Sequence, residues 1–549
     1  MMRSLSKMPS STALPTELIE EIVSYMVDVQ NDSWFQIEVL TVASKRDLLS
    51  CALSCTAFFG PAMRTLWSTA ELTRLLQLLP GLDWQLLPGL VVGSSCVLTD
   101  ELTEVSLKRF DIYTSMVKTL VHHGDWRDYT SVCSSLALIR PRPLLSLKHV
   151  YFHTYRLTFS WSGEMMLMVS PVLKSAFFSF CSPSIMAYIS IIKDEATMSD
   201  SLTISLTIPH ARYANFDLAC ISQLQNLRFL HLFLDLSTVE TGASAVSHPR
   251  HLKELRLDYD KALNTPKDVF TVLRIYRNSG VESFSLQGAL QGVDIQRILN
   301  AMSSQWSRTL TTLSLNISIN QWPIGKETFL DIIRPLRSLH KLQVFMGKFT
   351  LGPTGPTDWI SAPPVIYITH PLIPDICNAW HNLVDLEIRT DGFENILAVA
   401  SLAEHCPKLK RLSIPFDILA VPSIDDVQHR NTFPLESSHK LESITLMVKE
   451  GTDLEGTDFV SLVARGSVIS RLAYLLDLTF PYLKEVSIRT TSAFRLPPNA
   501  LPLAAPLATA HRPPPRPVPA RAGWKNSRNV IMDVIRARQE ARRLKGTQL

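Results

Sequence analysis

The sequence lacks the cysteine spacing of a disulfide-stabilised domain or a zinc site. Its eight cysteines are scattered over 549 residues, and no two of them form a Cys-x-x-Cys pair. This distribution predicts buried or unpaired thiols in a reducing compartment. The N-terminus also lacks the apolar core of a signal peptide, and the most apolar run, Leu75 to Leu98, is interrupted by prolines, glutamines and an aspartate, which argues against a membrane span. We therefore expect a soluble intracellular protein, located in the cytoplasm, the nucleus or both.

The sequence also lacks the common motifs of catalytic and cofactor sites. Neither glycine-rich phosphate loop, Gly-x-Gly-x-x-Gly or Gly-x-x-x-x-Gly-Lys, is present, and there is no Gly-x-Ser-x-Gly motif. His122 and His123, followed by Asp125, come nearest to a metal cluster, but adjacent histidines point in different directions. His405 and Cys406 follow a helical segment, and we interpret them as a helix end rather than a catalytic pair. We expect no catalytic residues, no metal and no cofactor, and hence no enzyme.

The body of the chain also lacks an excess of positive charge. The net charge is +4, but eleven of the 54 basic residues and only two of the 50 acidic residues lie from Phe494 onward. The tail therefore carries +9 and the rest of the chain −5. A mildly acidic body with a short basic tail argues against a dedicated nucleic-acid-binding protein.

What the chain does contain is a short apolar motif that recurs at a fixed step. Leucine or another apolar residue occupies the first, fourth and sixth positions of the motif, and the first positions are 252, 281, 310 and 339, a step of 29 residues. A fixed period in this range is typical of solenoid proteins. The four motifs are Leu252/Leu255/Leu257, Val281/Phe284/Leu286, Leu310/Leu313/Leu315 and Leu339/Leu342/Val344.

The pattern is that of a leucine-rich repeat, in which each unit has a strand, a turn and a helix. Helical patterns fill the gaps at 268–275, 294–302 and 327–333. Similar motifs extend the series from Leu147 to Ile488, about twelve units in all, and the longest gap contains a Pro- and Gly-rich excursion at 347–374. The fold class is therefore predicted as α/β, with parallel strands on the concave face and helices outside. The asparagine or cysteine that the family has after the third apolar position is not regularly present, and in this the repeats resemble the irregular kind found in fungal F-box proteins.

Residues that alternate with the buried positions are predicted to point outward from the strands. They form a polar ladder with a few aromatic side chains, and aromatic anchors often dominate binding energy at protein interfaces. Two interpretations remain open, because the protein's own loops or terminal units can also cover such aromatic residues. The candidate target-binding residues are Phe229, His231, Phe233, Arg256, Lys341 and Phe345.

Three helices are predicted before the repeats. Residues 14–26 have apolar side chains at helical spacing, with Pro15 suited to the first turn and glutamates near the N-terminal end of the helix dipole. After a polar interval at 27–46, Asp47 is expected to cap a second helix at 48–59. Gly60 and Pro61 are expected to end it, and a third short helix is expected at 62–67. Three short helices cannot bury all of this apolar surface among themselves.

These N-terminal residues carry a resemblance to the F-box. The matching elements are Leu14-Pro15-x-Glu17-Leu18-x-x-x-Ile22, the segment from Leu48 to Phe58, and Leu66-Trp67. The resemblance implies a three-helix motif that docks on the Skp-type adaptor of a cullin-RING ubiquitin ligase. It also implies that Leu14, Pro15, Leu18, Ile22, Leu49 and Leu53 face the adaptor. In two respects the chain departs from the family, since the first interhelical segment is long, and Ser54, Thr56 and Phe58 stand where Val, Arg and Trp are common.

The resulting organisation has five parts. Residues 1–13 are predicted as a disordered lead, 14–67 as the F-box, 68–140 as a helical junction, 141–490 as the solenoid and 491–549 as a disordered, Pro/Ala-rich basic tail. Within the tail, 529–545 has the pattern of a basic amphipathic helix, for which a nuclear signal, an acidic partner and a merely solvated helix are all open interpretations.

The expected function is substrate recognition within an SCF-type ubiquitin ligase. The F-box would bind the adaptor and through it a cullin, and the repeats would bind an unidentified protein target. The alternative is an interaction scaffold whose N-terminal helices only cap the first repeat. The two differ in one structural respect: exposure of Leu14, Leu18 and Ile22 favours the ligase subunit, and burial of these residues favours the scaffold.

Overall fold

The computed structural model divides into two compact units, Met1–Leu252 and Lys253–Leu549. The structure describes residues 14–31, 38–86, 94–124, 127–154, 162–179, 183–195, 201–208, 221, 223–234, 251–259, 267–319, 334–351, 379–389, 399, 402, 405–416, 421, 439–449, 459–491 and 522–546.

The first unit begins with three helices and a hairpin. Strands β1 (Val29–Asn31) and β2 (Glu38–Leu40) pair antiparallel between the first two helices, so part of the long interhelical segment is a β-hairpin. The helices are α1 Thr16–Tyr25, α2 Val42–Ser54 and α3 Thr56–Leu66.

Two predicted boundaries in this region are wrong. Helix α2 begins at Val42, and the side chain of Thr41 accepts a hydrogen bond from the Ser44 N–H, so Thr41 caps the helix and not Asp47. Pro61 lies inside α3 and does not separate two helices. Gly60 eases this arrangement, because the ring of a proline crowds the Cβ of a preceding helical residue and glycine has none.

Parallel strands of the first unit run in the order β3, β6, β8, β9, β10, β11. Two of them, β3 and β6, lie within 68–140, so the segment predicted as a helical junction contains strands as well as helices. A separate three-stranded sheet contains β4, β5 and β7. The strands are β3 Thr69–Glu71, β4 Leu82–Leu86, β5 Ser94–Leu98, β6 Thr119–Gly124, β7 Arg127–Asp128, β8 His149–Thr154, β9 Ser175–Phe178, β10 Leu202–Ile208 and β11 Leu227–Leu234, and the helices are α4 Leu72–Leu76, α5 Glu104–Thr114, α6 Thr130–Ile139, α7 Ser162–Leu167 and α8 Pro183–Glu195.

The second unit contains eight parallel strands in sequence order among its described residues. The predicted α/β class with parallel strands is therefore confirmed. The strands are β12 Glu254–Tyr259, β13 Ser283–Leu290, β14 Thr312–Ile319, β15 Val344–Leu351, β16 Asp385–Arg389, β17 Arg411–Pro415, β18 Ser443–Lys449 and β19 Glu485–Thr491. The helices are α9 Lys267–Ile275, α10 Gly292–Trp306, α11 Phe459–Thr479 and α12 Ala522–Gly546, with a 3₁₀ helix at Arg334–Ser338.

A repeated backbone hydrogen bond holds the strands of the first unit in a common register. The Lys148 N–H donates to the Lys118 oxygen, and the Lys174 N–H donates to the Lys148 oxygen, each at 2.7 Å. Equivalent side chains therefore line up across the strands. The inward positions, all buried, are Leu120 and His122 on β6, Val150 and Phe152 on β8, Ala176 and Phe178 on β9, Ile204 and Leu206 on β10, and Leu230 and Leu232 on β11.

The second unit repeats the same bond with less regular spacing. The Thr311 N–H donates to the Glu282 oxygen and the Gln343 N–H to the Thr311 oxygen, each at 2.8 Å. The pairing of Glu254 with Ser283 and of Ser283 with Thr312 agrees with the step of 29 residues. Thr312, however, pairs with Val344, a step of 32.

The fourth predicted motif therefore has the wrong register. Leu313 pairs with Phe345, which is buried at 2% exposure, so the prediction that Phe345 points outward is wrong. The ring of Phe345 packs against Trp380, with centroids 5.0 Å apart. At Gly347 a Cβ would lie 2.8 Å from the Phe349 ring and 2.9 Å from the Phe345 ring. Glycine thus leaves the space that the two rings fill, which the spacing of leucines does not indicate.

Aromatic side chains from outside the strands contact the inward rows. Trp306 on α10 lies 5.4 Å from the ring of Phe284, and its Nε1 donates to the Tyr276 oxygen at 3.4 Å. Trp380 packs in the same way against Phe345, and its Nε1 donates to the Leu336 backbone oxygen at 2.8 Å. Each tryptophan therefore fills the core and satisfies a backbone carbonyl of the preceding segment.

The C-terminal helix α12 packs against α11 and β19. Ile531 and Ile535 are fully buried, and Arg538 donates to Asp477 at 2.9 Å. Gln539 donates to the backbone oxygens of Pro481 and Leu483. The helix predicted at 529–545 therefore exists but is not merely solvated, and the predicted disorder of the tail is wrong for 522–546. The Pro/Ala-rich part of the tail lies outside the described residues.

Within the part of the chain that the structure describes, no helix has both the length and the apolar character needed to cross a bilayer.

We expect His439 to make stability depend on pH. Its Nε2 lies 2.7 Å from the Cys406 oxygen and its Nδ1 accepts from the Leu441 N–H at 3.1 Å, so the buried ring is neutral with the proton on Nε2. Burial lowers the pKa of His439, although the bond to Cys406 opposes this shift. Since the unfolded state then binds a proton that the folded state does not, the free energy of unfolding falls as pH drops below about 6.5.

The measurement is urea unfolding of the wild type and of His439→Gln between neutral and mildly acidic pH. The wild type should lose more stability than the variant over this range. An equal loss in both proteins would contradict the role assigned to His439.

We expect α12 to protect the last strand of the second unit. Ile535→Asp places a charge in a fully buried position and should release the helix, so that the amides of β19 exchange hydrogen faster. The control is Asp533→Ala on the exposed side of the same helix, which should leave this exchange unchanged. Unaltered protection of β19 in Ile535→Asp would show that the helix does not cover it.

Candidate functional site

The N-terminal helices expose a group of large apolar side chains. We call this group the N-terminal apolar surface, and it contains five of the six predicted adaptor-binding residues; the sixth, Pro15, is also exposed. A contiguous exposed apolar patch on a monomeric protein often marks a binding site. The exposed fractions are 52% for Leu14, 45% for Leu18, 41% for Ile22, 46% for Leu49 and 74% for Leu53.

Helix α1 exposes this surface because its apolar residues form two separate stripes. Ile19 and Val23 are buried, whereas Leu18 and Ile22, each one position earlier, are exposed. Residues four apart lie on the same side of a helix, so each pair forms its own stripe. One stripe accounts for packing within the unit, and the second has no such role among the described residues.

Helix α2 has the same two-sided character. Ser44, Leu48 and Ala52 recur every four residues and are buried, whereas Leu49 and Leu53, each one position later, are exposed. The sequence shows both stripes, and only the structure distinguishes the inner from the outer.

A small core lies beneath the surface and holds the helices together. Val23, Leu48 and Met63 belong to it, one from each helix, and Trp67 packs against it with its ring 4.6 Å from that of Tyr113. Arg64 on α3 also donates to Glu20 on α1 at 2.8 Å. This pair is about half exposed, so it contributes at most about 1 kcal/mol.

Hydrogen bonds join the hairpin to the start of α2. The Ser44 Oγ accepts from the Asp28 N–H at 2.8 Å and donates to the Asp28 oxygen at 3.2 Å. Thr41 also donates its N–H to the Asp28 oxygen at 3.0 Å. The long interval between the first two helices is thus tied back at its base. Sequence reasoning missed this arrangement, although Thr41-x-x-Ser44 is a recognisable cap signal.

The predicted target-binding residues are not equivalent in the structure. Phe229 is exposed and His231 half-buried, with its Nδ1 3.1 Å from the Ser205 Oγ. Arg256 is exposed but forms an ion pair with Asp258 at 3.2 Å, and Asp258 is buried rather than outward-facing as predicted. Lys341 is exposed but precedes β15, and Phe345 is buried. The side chain of Phe233 lies outside the described residues.

The histidines considered as metal ligands or catalytic residues lie in surroundings typical of structural residues. His122 occupies an inward position of β6, and its ring lies 4.6 Å from that of Phe152 and 6.2 Å from that of Tyr129. His405 precedes Cys406, and the Cys406 N–H donates to the Leu402 oxygen at 2.9 Å, as expected of a helix end. Across the described residues, no group of three potential metal ligands is present.

Neither a scan against protein-family models nor a search of curated proteins finds a match for this chain.

We expect Ser44→Ala to destabilise the N-terminal helices by about 1–2 kcal/mol, because the two part-buried hydrogen bonds between the Ser44 hydroxyl and the Asp28 backbone are lost. Urea unfolding measures the change. The control is Ser54→Ala on the same helix, where an exposed hydroxyl bonds only to the nearby Cys51 oxygen. That substitution should change stability by no more than about 0.5 kcal/mol. Similar effects of the two substitutions would contradict the role given to Ser44.

Proposed function

We propose that this chain is the substrate-recognition subunit of an SCF-type ubiquitin ligase. The N-terminal apolar surface binds a Skp-type adaptor, which connects the chain to a cullin, and the strand-bearing units bind a protein target. The chain supplies no catalytic residue in this proposal. Its contribution is to hold the target near the transfer machinery and so to raise the effective concentration of the target.

The observation that carries the proposal is the exposure of Leu14, Leu18 and Ile22. These residues belong to the F-box-like pattern of the sequence, and a helix that served only to pack would bury its apolar stripes. Leu49 and Leu53 on α2 are exposed as well, and exposure of this whole set favours a region that a partner covers. Apolar residues at the centre of a protein interface typically supply most of its binding energy.

The β-hairpin lies in the long first interhelical segment, which is the main departure from the F-box pattern. The long first interhelical segment does not lengthen the gap between α1 and α2 freely, because Asp28 is bonded to Ser44 at the start of α2. The inserted residues thus leave both helices attached to one core. This attachment supports the adaptor-binding proposal despite the unusual spacing.

The alternative function is an interaction scaffold with a helical N-terminal cap. It requires the apolar stripe of α1 to be covered by the first repeat, and the exposure of Leu18 and Ile22 speaks against that arrangement.

The test is binding of a purified Skp-type adaptor to the full chain, measured by calorimetry. We expect Leu18→Asp/Ile22→Asp to weaken binding about a hundredfold or more, because two apolar contacts are replaced by charges that the interface cannot solvate. Since both side chains are exposed, the variant should keep its fold, which circular dichroism and urea unfolding would check.

The matched control is Val293→Asp/Tyr482→Asp, which introduces the same two charges at exposed apolar positions of the second unit, 40% and 57% exposed. It should bind the adaptor like the wild type. Absence of binding by well-folded wild-type protein would rule out the ligase role and leave the scaffold.

A further inference from the structure

Three lysines occupy the same position on successive strands of the first unit. Lys118, Lys148 and Lys174 directly precede β6, β8 and β9, and the backbone hydrogen bonds between them place them in one row. Strands in a sheet lie about 4.8 Å apart, so one positive charge recurs at about this interval. We call these three residues the lysine row. Further along the unit, Arg228 is exposed on β11.

The lysine row carries uncompensated charge. Among the described residues, Lys118, Lys148, Lys174 and Arg228 form no ion pair, and no carboxylate occupies an outward position of β8 to β11. Lys118 and Lys174 are exposed and Lys148 is half-buried. Holding several like charges close together costs free energy, which an anionic partner would recover.

Two lysines at the corresponding position of the second unit are paired, whereas the third, Lys410, forms no ion pair among the described residues. Lys253 forms an ion pair with Glu282, and Lys484 pairs with Glu442 at 3.5 Å. Arg411 likewise pairs with Asp385 at 2.7 Å on the neighbouring strand. Self-paired charges attract a partner weakly, because each pair must be broken to form a new one. Of the two units, the first therefore offers the stronger electrostatic attraction for a target.

Beside the lysine row, the outward positions carry imidazole, hydroxyl and aromatic groups. The Nδ1 of His149 lies 2.8 Å from the Ser175 Oγ, and the rings of Tyr151 and Phe177 are 6.2 Å apart. The pKa of His149 is lowered by burial and then by the charges of Lys174 and Lys148, so these lysines lie close to the histidine. A basic row thus borders a partly aromatic surface.

We propose that this surface of the first unit binds an extended, unphosphorylated segment of a protein in which acidic residues alternate with apolar ones. The statement that this surface is the target site of a ligase rests on the proposed function. The statement that it binds such a segment does not. In an extended segment successive side chains point to opposite sides. The carboxylates would then lie along the lysine row while the apolar side chains contact Phe177 and Phe229.

The spacing of the charges favours carboxylates over a single phosphate. Three lysines on three neighbouring strands spread their charge over about 10 Å. One phosphate group can contact only the nearest of them, whereas side chains on one side of an extended segment recur every 6–7 Å or so and can follow the row.

The test is fluorescence anisotropy of the full chain with a labelled peptide in which Asp and Leu alternate. Two further peptides separate the sources of binding: one has Asn in place of every Asp, and one is neutral except for a single phosphoserine. We expect the Asp-Leu peptide to bind most tightly, with an affinity that falls as salt concentration rises.

The decisive variant is Lys118→Gln/Lys148→Gln/Lys174→Gln, which should weaken binding of the Asp-Leu peptide about tenfold, given typical values for exposed ion pairs. The matched control, Lys253→Gln/Lys410→Gln/Lys484→Gln, removes three lysines from the same strand position in the second unit and should have little effect. Both variants should have the wild-type circular dichroism spectrum.

The proposal is overturned if the Asp-Leu peptide does not bind, if both triple variants lose affinity equally, or if the phosphoserine peptide binds more tightly. Adaptor binding is measured separately on the same proteins. Failure of the wild type to bind the Asp-Leu peptide while it still binds the adaptor would refute this inference, and failure to bind the adaptor while it still binds the peptide would refute the ligase function.

Discussion

The structure depends on the fact that no repeat can bury its own apolar strand. Each strand of both units presents inward residues such as Val150 or Leu313, and these are covered only when the next strand and the packed aromatic side chains are in place. The recurrent bond from one strand's leading N–H to the previous strand's carbonyl fixes this arrangement. Register is thereby passed from strand to strand, and every outward side chain acquires a defined neighbour.

Because of this constraint, the residues that build the core differ from those proposed to bind partners. Inward positions are committed to the core, so the two proposed binding surfaces use the N-terminal helices and the outward positions of the strands. On α1 the distinction is sharp, since Ile19 and Val23 pack within the unit while Leu18 and Ile22 face solvent. On the strands the distinction is one of charge, because Lys253 and Arg411 of the second unit are paired with carboxylates, whereas the lysine row of the first unit is not.

The sequence predicted much of this organisation, and the failures have physical causes. Leucine spacing predicted the parallel strands, yet the register of β15 could not be read from it, because Phe345 and Gly347 fill the inward positions in place of two leucines. The same limit explains the wrong orientation of Phe345. For the candidate site, the pattern identified Leu18, Ile22, Leu49 and Leu53 as a group. The cap at Thr41 and the hairpin were missed because short polar segments are specified by hydrogen bonds rather than by periodicity.

The central claim is that a partner covers the N-terminal apolar surface, and hydrogen–deuterium exchange of the full chain with and without a purified Skp-type adaptor tests it most directly. The account predicts slower exchange in α1 and α2 when the adaptor is present, with the strands of both units unchanged. Unaltered exchange in α1 and α2 at saturating adaptor, or protection confined to the strands, would contradict it.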